Sequence, residues 1–376
     1  MVICFKCSPA SKRRLDELLA AGAFADYSEV IESAIENMAV LQEEVQHKGP
    51  LIIGSGQGRT FKPRQTKLRL PQRRPKLDNP ASVSEPVPGL FSLSDTSVEP
   101  PDSLAPLPTD VFFPGKPVPI DRWIFGQFNK LLPAKANCRA LARMYPPPAK
   151  GFELDQVASR ISQEAEVLGK YLAEKDRQRG LSRDDAWAVG FPSGDNKADR
   201  SRLRYANQFV GSIGRQGTVT GLLIDLKLIN LAGAGAKRVL LTRSGWDFGV
   251  TPNPVLDGAE GAGKFTASEV AFLLEHIQQH VPVEDFAFRT ILAAIRNGQN
   301  TPDKLDEACK QYVPTKPPTE ISEAVITTQR TGAVSRMVDL GLITRRRDGL
   351  RVSYVVTDLG EQYADRTAVA QNRERK

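Results

Sequence analysis

Two stretches of the chain spell the same short phrase, D-L-x-L-I, at Asp225-Leu226-Lys227-Leu228-Ile229 and at Asp339-Leu340-Gly341-Leu342-Ile343. Each is followed by a basic, glycine-containing connector, a β-rich run and a Thr-x-x-Gly close, at Thr242 to Gly245 and at Thr357 to Gly360. That order restricts what can form: the apolar end of a helix, a strand leaving it, a turn, a second strand returning, and a closing helix. Its recurrence implies two modules of similar build within one chain.

A chain of 376 residues has room for two or three domains, each able to bury a core. The formal net charge of +7 favours a polyanionic partner, although such an excess also serves solubility. Cys4, Cys7, Cys138 and Cys309 are too scattered for a secreted disulfide framework, which points to a reducing compartment. With no signal peptide and no apolar run of membrane-spanning length, the expectation is a cytoplasmic, nucleoid-associated protein without a membrane partner.

Residues 1–47 read as a unit of their own. Val2 to Ser8 alternates as a half-buried strand, with Ile3, Phe5 and Cys7 on one face and Cys4, Lys6 and Ser8 on the other. Pro9 ends the strand, Ser11 caps a short helix, Gly22 stops it, and a longer helix starts near Ser28 with Val30, Ile31, Ala34, Ile35 and Met38 at helical spacing. This layout, with the phrase Ser28-Glu29-x-Ile31-x-x-Ala34-Ile35, resembles the ribbon-helix-helix superfamily. The resemblance implies a homodimer whose paired strands enter the DNA major groove, with Cys4, Lys6 and Ser8 toward base edges and the helix start at Ser28 on a phosphate.

Residues 48–118 change to Pro, Ser, Gly and charge, basic first and acidic later. So little apolar surface is expected to remain a disordered linker. Beyond it, residues 119–252 and 264–368 are expected as two separate bodies joined by a linker at 253–263, with a tail at 369–376. In the first body, a helix is expected to end at Pro133, others to run from Leu154 and over Arg200 to Ile213, and a recognition helix to span Thr218 to Ile229. In the second, Ile321 to Thr327 and Thr331 to Leu340 read as a helix pair followed by a wing from Thr344 to Thr357.

Both bodies resemble the winged helix domains of prokaryotic transcription regulators, the match lying in residues 218–246 and 331–363. The fold expected is therefore mainly α with small β-ribbons and wings: a ribbon-helix-helix unit, a disordered linker and two winged helix domains. The resemblance implies DNA contacts from Arg215, Gln216, Thr218 and Thr220 in the first recognition helix, and from Gln329, Arg330, Thr331, Ser335 and Arg336 in the second. Lys237 and Arg238 would tip the first wing, and Arg345, Arg346, Arg347 and Arg351 the second.

Little points to catalysis. Gly258-x-x-x-x-Gly263-Lys264 approaches a phosphate-binding loop, but Phe265 replaces the magnesium-binding hydroxyl and no buried strand precedes it. Cys4 and Cys7 lie on opposite faces of their strand, and His276 and His280 lack a third ligand. No enzyme, cofactor or metal is expected. The reading is a double-stranded DNA-binding protein, a transcription regulator or a plasmid or mobile-element factor. The alternative is a structural subunit whose winged helices bind a partner protein within a larger DNA-processing or defence complex.

Overall fold

The computed structural model describes residues 89–93, 99–108, 117–148, 151–193, 198–214, 217–232, 237–258, 263–314, 321–349 and 351–373, with side chains as far as residue 366. The expectations for residues 1–47, including Cys4, Lys6, Ser8, Ser28 and the dimer, lie outside the described residues, as do Arg215 and Gln216. Ser84–Arg346 and Val352–Lys376 form one compact unit, and the hairpin tip Arg347–Arg351 is assigned to another.

The described residues are mainly helical with small antiparallel sheets. The order is α1 (Leu132–Arg143), β1 (Phe152–Glu153), α2 (Leu154–Arg179), α3 (Ala198–Tyr205, continued by a wider turn over Ala206–Val210), β2 (Ser212–Ile213), β3 (Val219–Thr220), α4 (Leu222–Asp225), β4 (Ile229–Leu231), β5 (Arg238–Leu241) and α5 (Arg243–Val250). Then come α6 (Ala267–His280), α7 (Pro282–Arg296), α8 (Pro302–Lys310), α9 (Glu323–Asp339), β6 (Ile343–Asp348), β7 (Arg351–Val356) and α10 (Asp358–Arg373). β5 lies between β1 and β4, with Phe152 opposite Val239 and Ile229 opposite Leu241. Separate two-stranded pairs are made by β2 with β3 and by β6 with β7.

α1 is the axis of the unit. Every residue from Leu132 to Ala142 is buried, polar ones included, so each polar group needs an internal partner. Lys135 donates to the carbonyls of Phe248 and Thr251 and pairs with Glu269 at 3.0 Å. Burial pulls its pKa down to about 8 against the opposing pull of Glu269. Asn137 donates to the Phe209 carbonyl and accepts from the Tyr205 hydroxyl. Arg139 grips Asp257 with two nitrogens and reaches the Phe91, Gly249 and Thr251 carbonyls. Pro133 lies in the first turn of α1, where its missing N–H costs nothing, so it opens a helix where the sequence suggested that one ends.

The repeated phrase builds the same turn twice. In both copies the helix ends in a left-handed residue, Lys227 at φ +55° and Gly341 at φ +71°. The Leu228 N–H then bonds back to the Leu223 carbonyl, and the Leu342 N–H to the Met337 carbonyl. Thr242 donates its hydroxyl to the Lys227 and Leu228 carbonyls at 2.8 and 3.1 Å, while Thr357 donates to those of Gly341 and Leu342 at 2.6 and 3.1 Å. The same hydroxyls cap the next helices by accepting from the Gly245 and Gly360 N–H. Those glycines are required, because a methyl group at either would overlap the Leu228 or Leu342 carbonyl.

The two segments expected as separate bodies share one core and one compact unit. Lys135 of α1 meets Glu269 of α6, His276 of α6 bonds the Leu226 carbonyl at 2.7 Å, and Asp339 of α9 accepts from the Leu131 N–H. The expected linker at 253–263 is folded over its described part: Asn253 to Leu256 are buried, and Asn253 donates to Glu269 and to the Lys264 carbonyl. Parts of the expected disordered linker are also packed down. Phe91 is wholly buried, Ala105 bonds the Leu241 carbonyl at 2.8 Å, and Asn230 donates to the Pro106 carbonyl. Composition averaged over 48–118 hid Leu90-Phe91 and Leu104-Ala105, short apolar pairs sufficient to anchor a polar strap.

Candidate nucleic-acid interface

The segment 218–229 is not a recognition helix. Gly221, at φ +145° against the Gly211 backbone, separates strand β3 from the single turn α4. Thr218 and Thr220 are exposed at the β2–β3 pair, where Thr220 sits opposite Ser212. On the β4–β5 pair, Lys237 is exposed, but Arg238 meets Glu153 at 2.6 Å across the sheet.

The second expected helix pair is one helix, α9, because nothing between Thr327 and Thr331 breaks it. Gly332 stands inside it where the Gly126 backbone approaches too closely for any side chain. Four of the five residues expected to read DNA from this helix are buried, and three have structural partners. Gln329 accepts from the Gly126 N–H at 2.5 Å and donates to the Trp123 carbonyl. Arg330 grips Asp306 at 2.8 and 2.9 Å. Arg336, 1% exposed, grips both oxygens of Glu284 at 2.5 and 2.9 Å and the Phe128 carbonyl at 2.7 Å. Ser335 is buried as well, so of the five only Thr331 is exposed. A loop over Trp123–Phe128 occupies the face from which bases would be read.

The β6–β7 pair differs. Ile343 and Tyr354 root it in the core, and the Tyr354 N–H bonds the Asn300 carbonyl at 2.8 Å. Toward the turn the side chains become exposed, with Gly349 at φ +56°. Arg346, Arg347 and Arg351 are exposed, whereas Arg345 is partly buried against Asp184 at 2.8 Å. Asp348 is the one acid among 343–351.

Lys264, the lysine of the approximate phosphate-binding loop, is otherwise engaged, since it pairs with Asp339 at 3.1 Å. His276, its pKa lowered by burial, is a packing residue stacked on Phe272. Sequence reasoning missed a cavity of about 770 Å³ walled by Trp123, Phe125, Phe128, Ile224, Asp225 and Gln329 among others. Its only sequence signal is the run of aromatics around Gly126, which looks like core. No protein-family model, curated protein or solved structure matches this chain.

Proposed function

We propose that this protein binds double-stranded DNA, and that its second module grips the phosphate backbone through the β6–β7 hairpin without reading bases through α9. The reading is supported by an order that resembles a winged helix: α7, α8 and α9, then a hairpin whose return strand is held to the α7–α8 connection by Tyr354 and Asn300. The observation that carries the reading is the hairpin's exposed Arg346, Arg347 and Arg351 around a turn with a single acid. A wing can place exposed arginines on phosphates or in a narrow minor groove. Base reading then falls to the ribbon expected at 1–47, where Lys6 is the residue to test.

A second reading, a subunit that binds a partner protein, draws support from the buried recognition face of α9. The two are separated by replacing Arg346, Arg347 and Arg351 with alanine, leaving Arg345 to its Asp184 pair. Each phosphate contact contributes about 0.9 to the slope of log affinity against log salt. The triple variant should bind all duplexes more weakly and flatten the slope by about 2 to 3 units. Unchanged affinity and slope would favour the partner-protein reading.

A further inference from the structure

We propose that the cavity between the Trp123–Phe128 loop, α4 and α9 is a binding site for a small organic cation with an aromatic or apolar body, held by Asp225. The argument begins with volume and lining. At about 770 Å³ the cavity falls within the range of small-molecule sites, and its walls mix apolar and aromatic side chains with polar and charged ones. Phe125 is 44% exposed in it, packed edge-on against Phe128 at 5.4 Å. Aromatic rings of this kind suit the flat body of a ligand and attract a positive charge.

The second observation is the carboxylate. Asp225 is half-buried, and among the described residues it accepts no hydrogen bond and makes no ion pair. The charges that act on it are Arg336 and Glu284, and these two are bound to each other through both guanidinium nitrogens. The trio Asp225, Glu284 and Arg336 therefore carries one net negative charge, at a half-buried carboxylate on the cavity wall. Asp121, Arg122 and Lys227 also line the cavity, and neither cation among them forms an ion pair with Asp225. Burial pushes the Asp225 carboxyl up to about 7, with Glu284 adding to the rise and Arg336 opposing it. Near neutral pH the carboxyl is therefore partly protonated. A ligand ammonium or amidinium would replace that proton, and its apolar body would cover the aromatic wall.

The test uses the full chain and three probes, phenethylamine, benzamidine and the neutral isostere 2-phenylethanol, titrated by calorimetry and by tryptophan fluorescence, to which Trp123 contributes. One or both cations should saturate one site at least about 10-fold more tightly than the alcohol. Below pH 7, binding should release a proton, visible as a dependence of the observed heat on buffer ionisation, and affinity should fall about 10-fold per pH unit. Asp225→Asn should erase the preference for cations while leaving alcohol binding alone. Phe125→Ala, at an exposed position that threatens no core, should weaken both classes. A cation preference that survives Asp225→Asn would overturn the proposal, as would the absence of any Asp225-dependent binding across the three probes.

Discussion

Replacing Arg336 with methionine removes the three-way clamp that α9 makes with Glu284 and the Phe128 carbonyl, while keeping a long apolar side chain in its place. Glu284 is wholly buried, so the change strands a carboxylate with no cation and leaves a carbonyl without its donor. Breaking a buried pair from one side costs about 3 to 5 kcal/mol, and the orphaned carbonyl alone about 1 to 3. These costs overlap, so about 4 kcal/mol is the expected loss, a large share of a typical stability of about 5 to 15. Asp225 would also lose the one cation opposing its burial, so its carboxyl should titrate higher still. Urea unfolding at neutral pH measures the loss directly. The double variant Arg336→Met with Glu284→Leu should recover most of it, because exchanging both partners for apolar groups is often neutral or better. If Arg336→Met costs less than about 1 kcal/mol and instead abolishes duplex binding, Arg336 faces DNA and the internal role assigned to α9 is wrong.

Two other outcomes follow from the same geometry. Asp225 has a folded pKa of about 7 against 3.8 for an ordinary aspartate, so between those values the folded state holds more protons than the unfolded one. Asp225's own contribution to stability should therefore fall as pH rises from about 4 to 7 and stay low above that. Asp225→Asn should be no more stable than wild type at pH 4 and about 2 to 4 kcal/mol more stable at pH 8. A difference that does not change with pH, in calorimetric melts, would exclude the buried charge. Thr242→Val and Thr357→Val should each cost about 1 to 2 kcal/mol, with Thr242, the more buried, losing more. Serine at either position should restore most of the loss, and a serine variant as unstable as valine would mean that the threonine methyl, not the hydroxyl, carries the motif.

What was legible in the sequence was what the backbone demands locally. The D-L-x-L-I and Thr-x-x-Gly phrases were readable because a left-handed helix end, a capping hydroxyl and a glycine under a carbonyl are all settled within some twenty residues. The apolar spacing that marked α2, α6 and α7 was readable for the same reason. α1 was not, because Lys135, Asn137 and Arg139 look like a solvated face until Glu269, Tyr205 and Asp257 are brought to them from far along the chain. Gln329 and Arg336 misled in the same way. Their spacing suited a recognition helix, but their partners, Gly126 and Phe128, lie about two hundred residues upstream. The Arg346 and Arg347 positions were legible as exposed because a β-turn with Asp348-Gly349 forces its flanks outward, whereas the pairing of Arg345 with Asp184 was not.

The aspartates that open the two phrases show how one local motif ends in two different chemistries. Nothing in the turn itself uses the aspartate side chain, since backbone groups and a threonine hydroxyl close it. Its partner is therefore set by whatever packs against that helix end. Asp339 meets the Leu131 N–H and the Lys264 ammonium, and its side chain is 2% exposed, so its charge goes to joining the segments. Asp225 feels the charge of Arg336 without bonding to it, because that guanidinium is already committed to Glu284 by two hydrogen bonds, and so its charge remains unanswered within the described residues. An uncompensated, half-buried carboxylate lowers stability at neutral pH, and substitution to asparagine would remove that cost at almost no change in shape. The aromatic cavity beside Asp225 gives the charge something to act upon, and Gln329 of α9, the helix that leads into the arginine hairpin, forms part of the same wall.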